Sequence, residues 1–207
     1  MVWAAARRTT AALALLAALA GCSAEPAPQE PAAGPESTPL ESADTAAVNV
    51  VRGPFCDRVS PTGVEHALAD VPADHESWVN GDRERLPDGT RDRVQEYGCR
   101  WTAADGSQAS AWVFAPPVTR AHARALTKDM TRNAFGASCR ATPDVADFGA
   151  PGATATCSLD TGITLIERAG RFGDAWLTCS LTAAGDPADL PARASDWCVQ
   201  VVEAARS

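Results

Sequence analysis

Few side chains in this sequence are suited to acid–base or nucleophilic chemistry. The 207 residues include three histidines, one tyrosine and a single lysine, Lys128. They contain no H-E-x-x-H motif, no C-x-x-C pair and no complete G-x-S-x-G turn. The spacings typical of zinc proteases, zinc fingers and serine hydrolases are therefore missing.

Long apolar runs are also missing, and the run at Ala11–Ala20 has only ten residues. A membrane-spanning helix needs about twenty. Arg7 and Arg8 precede this run and a small residue, Gly21, follows it, which is the order of a secretory signal. We therefore predict that residues 1–21 are a signal peptide that is removed during export.

The signal ends in Leu19-Ala20-Gly21-Cys22, which matches the cleavage site of lipoprotein signal peptidase. That enzyme cuts after small residues, before a cysteine whose thiol carries diacylglycerol. The match predicts that Cys22 is lipidated and holds the chain on the outer face of the cytoplasmic membrane.

Two alternatives remain for this leader. One is an ordinary secretory signal followed by an incidental cysteine. The other is a twin-arginine signal at Arg7-Arg8, although Thr9 and Thr10 follow where that pathway expects a bulky apolar residue. The general secretory route to a lipoprotein is favoured over both.

The mature chain is acidic. Loss of Arg7 and Arg8 from the 18 basic residues leaves 16 against 26 acidic ones, a net charge of −10. This balance argues against nucleic acid as a partner. Acidic residues are spread along the chain, which is typical of a solvated surface.

Composition divides the rest of the chain into two parts. Residues 22–50 are mostly Ala, Pro, Glu, Ser and Thr with few large apolar side chains, so we predict a disordered tether behind the lipidated Cys22. Residues 51–207 hold the large apolar residues and are long enough to form one core.

Six cysteines remain after Cys22, an even number that predicts disulfides in an oxidising compartment. Sequence alone cannot choose among the fifteen possible pairings, but spacing favours three local bonds. A zinc site is the competing interpretation, and the missing C-x-x-C pairs and the distant histidines disfavour it. The favoured pairs are Cys56 with Cys99, Cys139 with Cys157, and Cys179 with Cys198.

Periodicity predicts an α+β domain with an antiparallel sheet of about five strands covered by helices, in the order α-β-β-α-β-β-β-α. The first helix starts at Ser60-Pro61, and the second follows Thr119. The third follows Asp189 and buries Trp197. Residues 72–93 are charged and rich in turn signals, which predicts a long polar excursion anchored by Trp78. The predicted strands are two in a hairpin, 97–101 and 109–115, and three in a meander, 153–159, 163–168 and 175–181.

A cysteine precedes the first helix in Pro54-Phe55-Cys56-Asp57, and a C-x-W follows at Cys99-Arg100-Trp101. With the lipoprotein signal and the Pro/Ala-rich tether, this pattern resembles the domain-of-unknown-function lipoproteins common in actinobacteria. The resemblance covers most of residues 50–207 and implies a bond between Cys56 and Cys99. It supplies no established catalytic motif. Four further cysteines and the polar segment at 72–93 depart from the pattern.

Each of the three histidines has an ordinary structural explanation. His66 is predicted in the first helix, His75 in a loop and His122 in the first turn of the second helix. His66 and His75 could bind a metal with Asp70 and Asp74 only if the chain folded back, so no metal or other cofactor is predicted.

Two further patterns favour turns over chemistry. Ser138 lacks the final glycine of a hydrolase elbow and is predicted in a turn. Acidic residues with nearby glycines do not have the spacing of a calcium loop. These residues are Asp82, Asp88 and Asp92 with Gly81 and Gly89.

Tryptophans are the better candidates for a functional surface. Alternation along the last predicted strand puts Trp176 on the face opposite Leu177 and Cys179. Either a helix covers this ring, or Trp176 forms a binding platform with Trp112 or Trp78.

The first hypothesis is therefore a non-enzymatic, membrane-tethered envelope lipoprotein that binds an unknown envelope protein or small ligand. An envelope hydrolase acting on wall or lipid substrates is the second. A purely structural envelope protein is the third.

Overall fold

The computed structural model describes residues 48–85, 91–133, 138–143, 148–159, 162–185 and 187–207. A short 3-10 turn at Cys56–Arg58 precedes helix α1 (Pro61–Leu68). Helix α2 is Arg120–Asn133, and helix α3 is Leu190–Ala205. The strands are β1 (Pro72–Trp78), β2 (Arg83–Arg85), β3 (Arg91–Arg93), β4 (Glu96–Ala103), β5 (Gln108–Phe114), β6 (Cys139–Pro143), β7 (Gly152–Ser158), β8 (Ile163–Phe172) and β9 (Ala175–Ala184).

Seven strands form one antiparallel sheet in the order β1-β4-β5-β9-β8-β7-β6, and β2 pairs with β3 in a separate hairpin. Helices α1 and α3 pack on one face of the sheet, while α2 packs on the other, mainly against β6, β7 and β8. The predicted α+β class with an antiparallel sheet covered by helices is confirmed.

The main core lies between the sheet and the pair α1 and α3. Trp197 of α3 is fully buried and donates its indole N–H to the carbonyl oxygen of Ser110 at 3.1 Å. The Trp101 ring of β4 meets Trp197 edge to face at 5.5 Å between centroids. His75 of β1 stacks on the outer side of Trp101 at 4.7 Å, so this imidazole covers an aromatic ring of the core.

A second, smaller core lies between the sheet and α2. It contains Val118, Ala123, Ala169 and Trp176, and Trp176 is only 3% exposed. The alternation that separates Trp176 from Leu177 was predicted correctly, and α2 covers the ring. Trp176 therefore does not belong to an exposed binding surface, and that part of the platform hypothesis is wrong.

Helix ends agree in part with the sequence signals. Thr119 caps α2, because its Oγ1 accepts a hydrogen bond from the backbone N–H of His122 at 3.2 Å. Asp189 does not cap α3 with its side chain. It forms an ion pair with Nε of Arg193, one turn later, at 2.9 Å.

Three disulfides join the pairs that spacing favoured, Cys56–Cys99, Cys139–Cys157 and Cys179–Cys198. The first holds the turn before α1 against β4, and the third holds α3 against β9. The second joins directly opposed residues of β6 and β7. All three stabilise contacts between neighbouring elements of the fold.

Two strands of the large sheet were not predicted, and both lie at its edges. Residues 72–78, placed in a polar excursion, form edge strand β1, whose side chains are exposed on both faces except for the half-buried Trp78. Residues 139–143, for which no strand was predicted, form the opposite edge, β6, which ends in Pro143. An edge strand whose two faces are both exposed to solvent lacks the apolar alternation from which strands are predicted.

In the part of the chain that the structure describes, no helix combines the length and apolar character needed to cross a membrane.

Candidate functional site

One face of the sheet is only partly covered by a helix. Helix α2 packs mainly on β6 to β8, so the same side of β1 and β4 lies beyond it, and Trp112 and Phe114 of β5 border the small core around Trp176. We call this surface the open face. Its residues are Glu76, Trp78, Glu96, Gly98, Arg100, Ser110, Trp112 and Phe114.

A row of aromatic residues crosses the open face. Trp78 of β1 pairs with Gly98 of β4, and Gly98 pairs with Trp112 of β5. A Cβ atom at Gly98 would lie 2.3 Å from Cζ2 of Trp78, so the absent side chain is what allows the indole to lie on β4. Trp112 contacts Phe114 at 5.0 Å between ring centroids. The result is a partly exposed row of aromatic rings, in which the Trp78 ring lies directly over Gly98.

A polar row runs beside the aromatic one across five strands. Its members in sheet order are Glu76, Arg100, Ser110, Ser180 and Glu167. Arg100 Nη1 lies 3.4 Å from Glu76 Oε2, and the Arg100 guanidinium carbon lies 5.9 Å from the centroid of Trp78. Because both partners of this ion pair are exposed, it contributes at most about 1 kcal/mol and can open for a ligand.

A cleft of about 470 Å³ opens at the β1 edge of this face, a size within the range of small-molecule sites. The Trp78 indole N–H donates to Glu96 Oε1 at 2.9 Å, which fixes the ring in the cleft wall. Asp82 Oδ2 accepts the backbone N–H of Val79 at 2.9 Å and orders the turn after β1. The lining residues are Glu76, Ser77, Trp78, Asp82, Arg83, Val94, Glu96 and Arg100.

Glu167 lies at the far end of the polar row, on β8. Its strand neighbours on this side are Ser180 of β9 and Ala155 of β7, both uncharged. Burial raises the pKa of the Glu167 carboxyl to about 7, because desolvation disfavours the charged form. This carboxyl can therefore gain or lose a proton near neutral pH.

The three histidines contact different partners. His66 of α1 contacts Asp196 Oδ2 of α3 at 3.1 Å, and His75 stacks on Trp101. His122 lies in the first turn of α2, on the other side of the sheet from α1 and α3. Within the described ranges, no three His, Cys, Asp or Glu side chains are grouped so that they could hold a metal ion.

The other acidic candidates sit in local backbone structure. Asp70 Oδ1 accepts the N–H of Val71 at 2.7 Å, and Asp74 faces Thr102 in the β1–β4 ladder. Asp92 Oδ1 accepts the N–H of Arg93 at 2.7 Å. Asp88 and Gly89 lie outside the described residues.

The serine and glycine candidates fit their predicted turns. Gly81 adopts a positive φ of 97° in the turn after β1, a conformation that suits glycine. Ser138 precedes β6 and donates its hydroxyl to the carbonyl oxygen of Ser158.

Of the three candidate tryptophans, the structure brings Trp78 and Trp112 together in one row and buries Trp176. Sequence patterns did not identify Gly98, Glu96 and Arg100 as site residues, although these three complete the site. Their alternation along β4 was available as a signal, but without β1 there was no strand opposite them on which to place Trp78.

The chain matches no protein-family model, and no curated protein sequence matches it.

Proposed function

We propose that this chain is a lipid-anchored, extracytoplasmic binding protein whose open face takes up an envelope protein or a small ligand. Three disulfides support a soluble domain that folds in an oxidising compartment outside the cytoplasm. The apolar leader and the Leu19-to-Cys22 motif support the anchor on Cys22. The resemblance to actinobacterial lipoproteins supports the same location on the outer face of the membrane.

The observation that carries the binding proposal is the Trp78 ring lying on Gly98, in one row with Trp112. Two strand spacings separate the two tryptophans, about 10 Å. Fixed indole rings provide a large apolar contact area at little entropic cost, and tryptophan is enriched among the residues that dominate binding energy. Such rings, half-exposed on the part of the sheet that α2 does not fully cover, favour a binding surface.

The charges around the cleft indicate which chemical groups a ligand must carry. Glu76, Asp82 and Glu96 supply carboxylates, while Arg83 and Arg100 supply guanidinium groups. A ligand with a flat apolar part for Trp78 and polar groups of both kinds for this rim fits best. A strongly charged ligand of one sign fits less well, because half of the rim would repel it.

The anchor is tested by labelling growing cells with a fatty-acid probe. We expect the wild-type chain to incorporate the probe, and Cys22→Ser to be exported without it, because no other residue can accept the thioether. Label retained by Cys22→Ser would refute the lipoprotein proposal.

Binding is tested by photocrosslinking in cells that make the chain naturally. A photoreactive amino acid at Arg83, on the cleft rim, should form a defined adduct that disappears when Trp78→Ala is added. The matched control carries the same group at Arg58, which is exposed beside the 3-10 turn on the α3 side of the sheet.

The same adducts from both positions, or adducts from Arg83 that survive Trp78→Ala, would contradict binding at the open face. Mass spectrometry of the specific adduct then decides between a protein and a small ligand.

A further inference from the structure

Helix α2 carries a row of positive charge that the proposed binding site does not use. Arg120, Arg124, Lys128 and Arg132 follow one another at intervals of four residues and are all exposed. We call these four residues the cationic stripe. Residues four apart are neighbours on a helix surface, so the charges form a continuous row that winds gradually around α2. Asp129 is the single acidic residue of α2.

This local charge opposes that of the whole chain, whose net charge is −8. Elsewhere in the domain, Arg52 pairs with Asp174, and Arg206 pairs with Glu203. Among the residues that the structure describes, no ion pair neutralises the cationic stripe. A row of four unpaired cations on an acidic domain favours an anionic partner outside the chain.

The stripe faces the β6 edge of the sheet. Arg124 and Lys128, with Thr127 and Thr131, line a groove of about 310 Å³ closed by Pro143, the last residue of β6. On the other flank of α2, Leu126 and Met130 pack against the small core around Trp176. The cationic stripe and the open face therefore lie on opposite flanks of α2.

The chain that leads from Cys22 enters the domain near the start of α2. Arg52 donates to the carbonyl oxygen of Ala115 at 2.6 Å and pairs with Asp174 at 3.3 Å. The backbone N–H of Val118 donates to the carbonyl oxygen of Asp174 at 2.7 Å. Arg52 thus meets the segment just before Arg120, while Val50 and Val51 pair with Arg206 and Ala205 at the end of α3. An anchor on Cys22, 26 residues before Val48, keeps this end of α2 within reach of the membrane.

We propose that the cationic stripe docks on the phosphate groups of an anionic lipid bilayer, the membrane that carries the anchor. The proposal extends the proposed function, since it assumes that the domain works at a membrane surface. A basic side chain near an anionic leaflet strengthens binding about fivefold. Several such residues act together on a surface, whereas the acidic remainder of the domain is screened beyond about 8 Å at physiological salt.

Docking in this way orients the binding site. The stripe lies toward β6, and the Trp78 cleft lies at β1, the opposite edge of the seven-stranded sheet. Six strand spacings correspond to about 29 Å, so docking of the stripe leaves the cleft at the far edge of the sheet from the contact with the bilayer. The lipid anchor alone does not fix which edge of the domain faces outward.

The test measures sedimentation of the mature chain from residue 22 with phospholipid vesicles. The chain carries Cys22→Ser, so no acyl chain contributes and the result does not depend on lipidation. Vesicles that contain phosphatidylglycerol should bind it at low salt, and vesicles of phosphatidylcholine alone should not. Arg124→Gln with Lys128→Gln should weaken binding by about 10- to 30-fold.

The matched control removes the same charge elsewhere, with Arg58→Gln and Arg91→Gln, both exposed and outside α2. We expect it to change binding by less than about twofold, since charges distant from the lipid are screened. Circular dichroism should show that both double variants stay folded.

Several outcomes would overturn the proposal: no dependence on phosphatidylglycerol, equal losses in the two double variants, or binding of soluble polyphosphate without binding of vesicles. The last outcome would assign the stripe to a free anionic polymer. Loss of lipidation in cells would refute the anchor on Cys22 and leave the vesicle result unaffected, so the two proposals fail separately.

Discussion

The partly buried carboxyl of Glu167 makes the stability of this domain depend on pH near neutrality. The structure raises its pKa from the ordinary value of 4.5 to about 7 by burial. Between these values the folded state keeps a proton that the unfolded state releases, so stability falls as pH rises. A difference of about 2.5 pKa units corresponds to about 3 kcal/mol, fully present as stability below pH 4.5 and lost above pH 7. Glu167→Gln removes the titration and should stabilise the domain at pH 8 relative to wild type.

The assay is urea denaturation of wild type and Glu167→Gln at pH 5 and pH 8. A slope of about 2 kcal/mol per molar urea turns 3 kcal/mol into a relative midpoint shift of about 1.5 M between the two pH values. Comparing the pH differences of the two proteins cancels the contribution of every other group. Glu65→Gln, an exposed change in α1, is the control and should behave like wild type. Parallel behaviour of Glu167→Gln and wild type would refute the argument from burial.

Three further predictions test the core and the open face. Trp197→Ala and Trp176→Ala should each cost about 3–5 kcal/mol in thermal or urea unfolding, because both rings are buried, whereas Trp78→Ala should cost less than about 1.5 kcal/mol. Gly98→Ala should displace the Trp78 ring, detected as a change in tryptophan fluorescence that is absent in Trp78→Phe/Gly98→Ala, and an unchanged spectrum would contradict the close contact. Mass mapping of the unreduced domain should find Cys56 linked to Cys99, Cys139 to Cys157 and Cys179 to Cys198, and a free thiol or another pairing would contradict the fold.

Sequence patterns predicted the elements that have one side exposed to solvent and one side buried. The five predicted strands and three helices each bury one face, so apolar residues recur with a period that can be recognised. Strands β1 and β6 lie at the edges and have almost no buried side. Their sequences therefore show charge and turn residues instead of apolar alternation, and no strand was predicted for them. Val71 shows the same limit at the end of a helix. It lies three residues after the buried Leu68, a spacing that would place it on the same face of a longer helix, but Ala69 adopts a left-handed conformation that ends α1 and leaves Val71 63% exposed.

The candidate site was predictable only in part, because it depends on β1. Trp78 and Trp112 were identified as candidates from their residue type, but their common row across Gly98 follows from the β1–β4–β5 register. Trp176 has the same residue type and lies on the same side of the sheet, yet α2 covers it. Whether a helix covers a strand position is a tertiary fact that strand alternation cannot supply.

One face of the sheet carries the main core and its disulfides, and the other carries the proposed binding surface. Cys99, Ala111 and Cys179 are neighbours in one row of the main-core face, and Ala111 is fully buried. The two cysteines that flank this alanine each form a disulfide with a residue outside the sheet. These bonds hold the chain before α1 and the middle of α3 against the sheet, and each contributes about 3–4 kcal/mol on the chain-entropy model. The open face lies on the reverse of the same strands and contributes little to this scaffold. Substitutions there can abolish binding while the fold persists, so a loss of crosslinking in Trp78→Ala can be assigned to the surface itself.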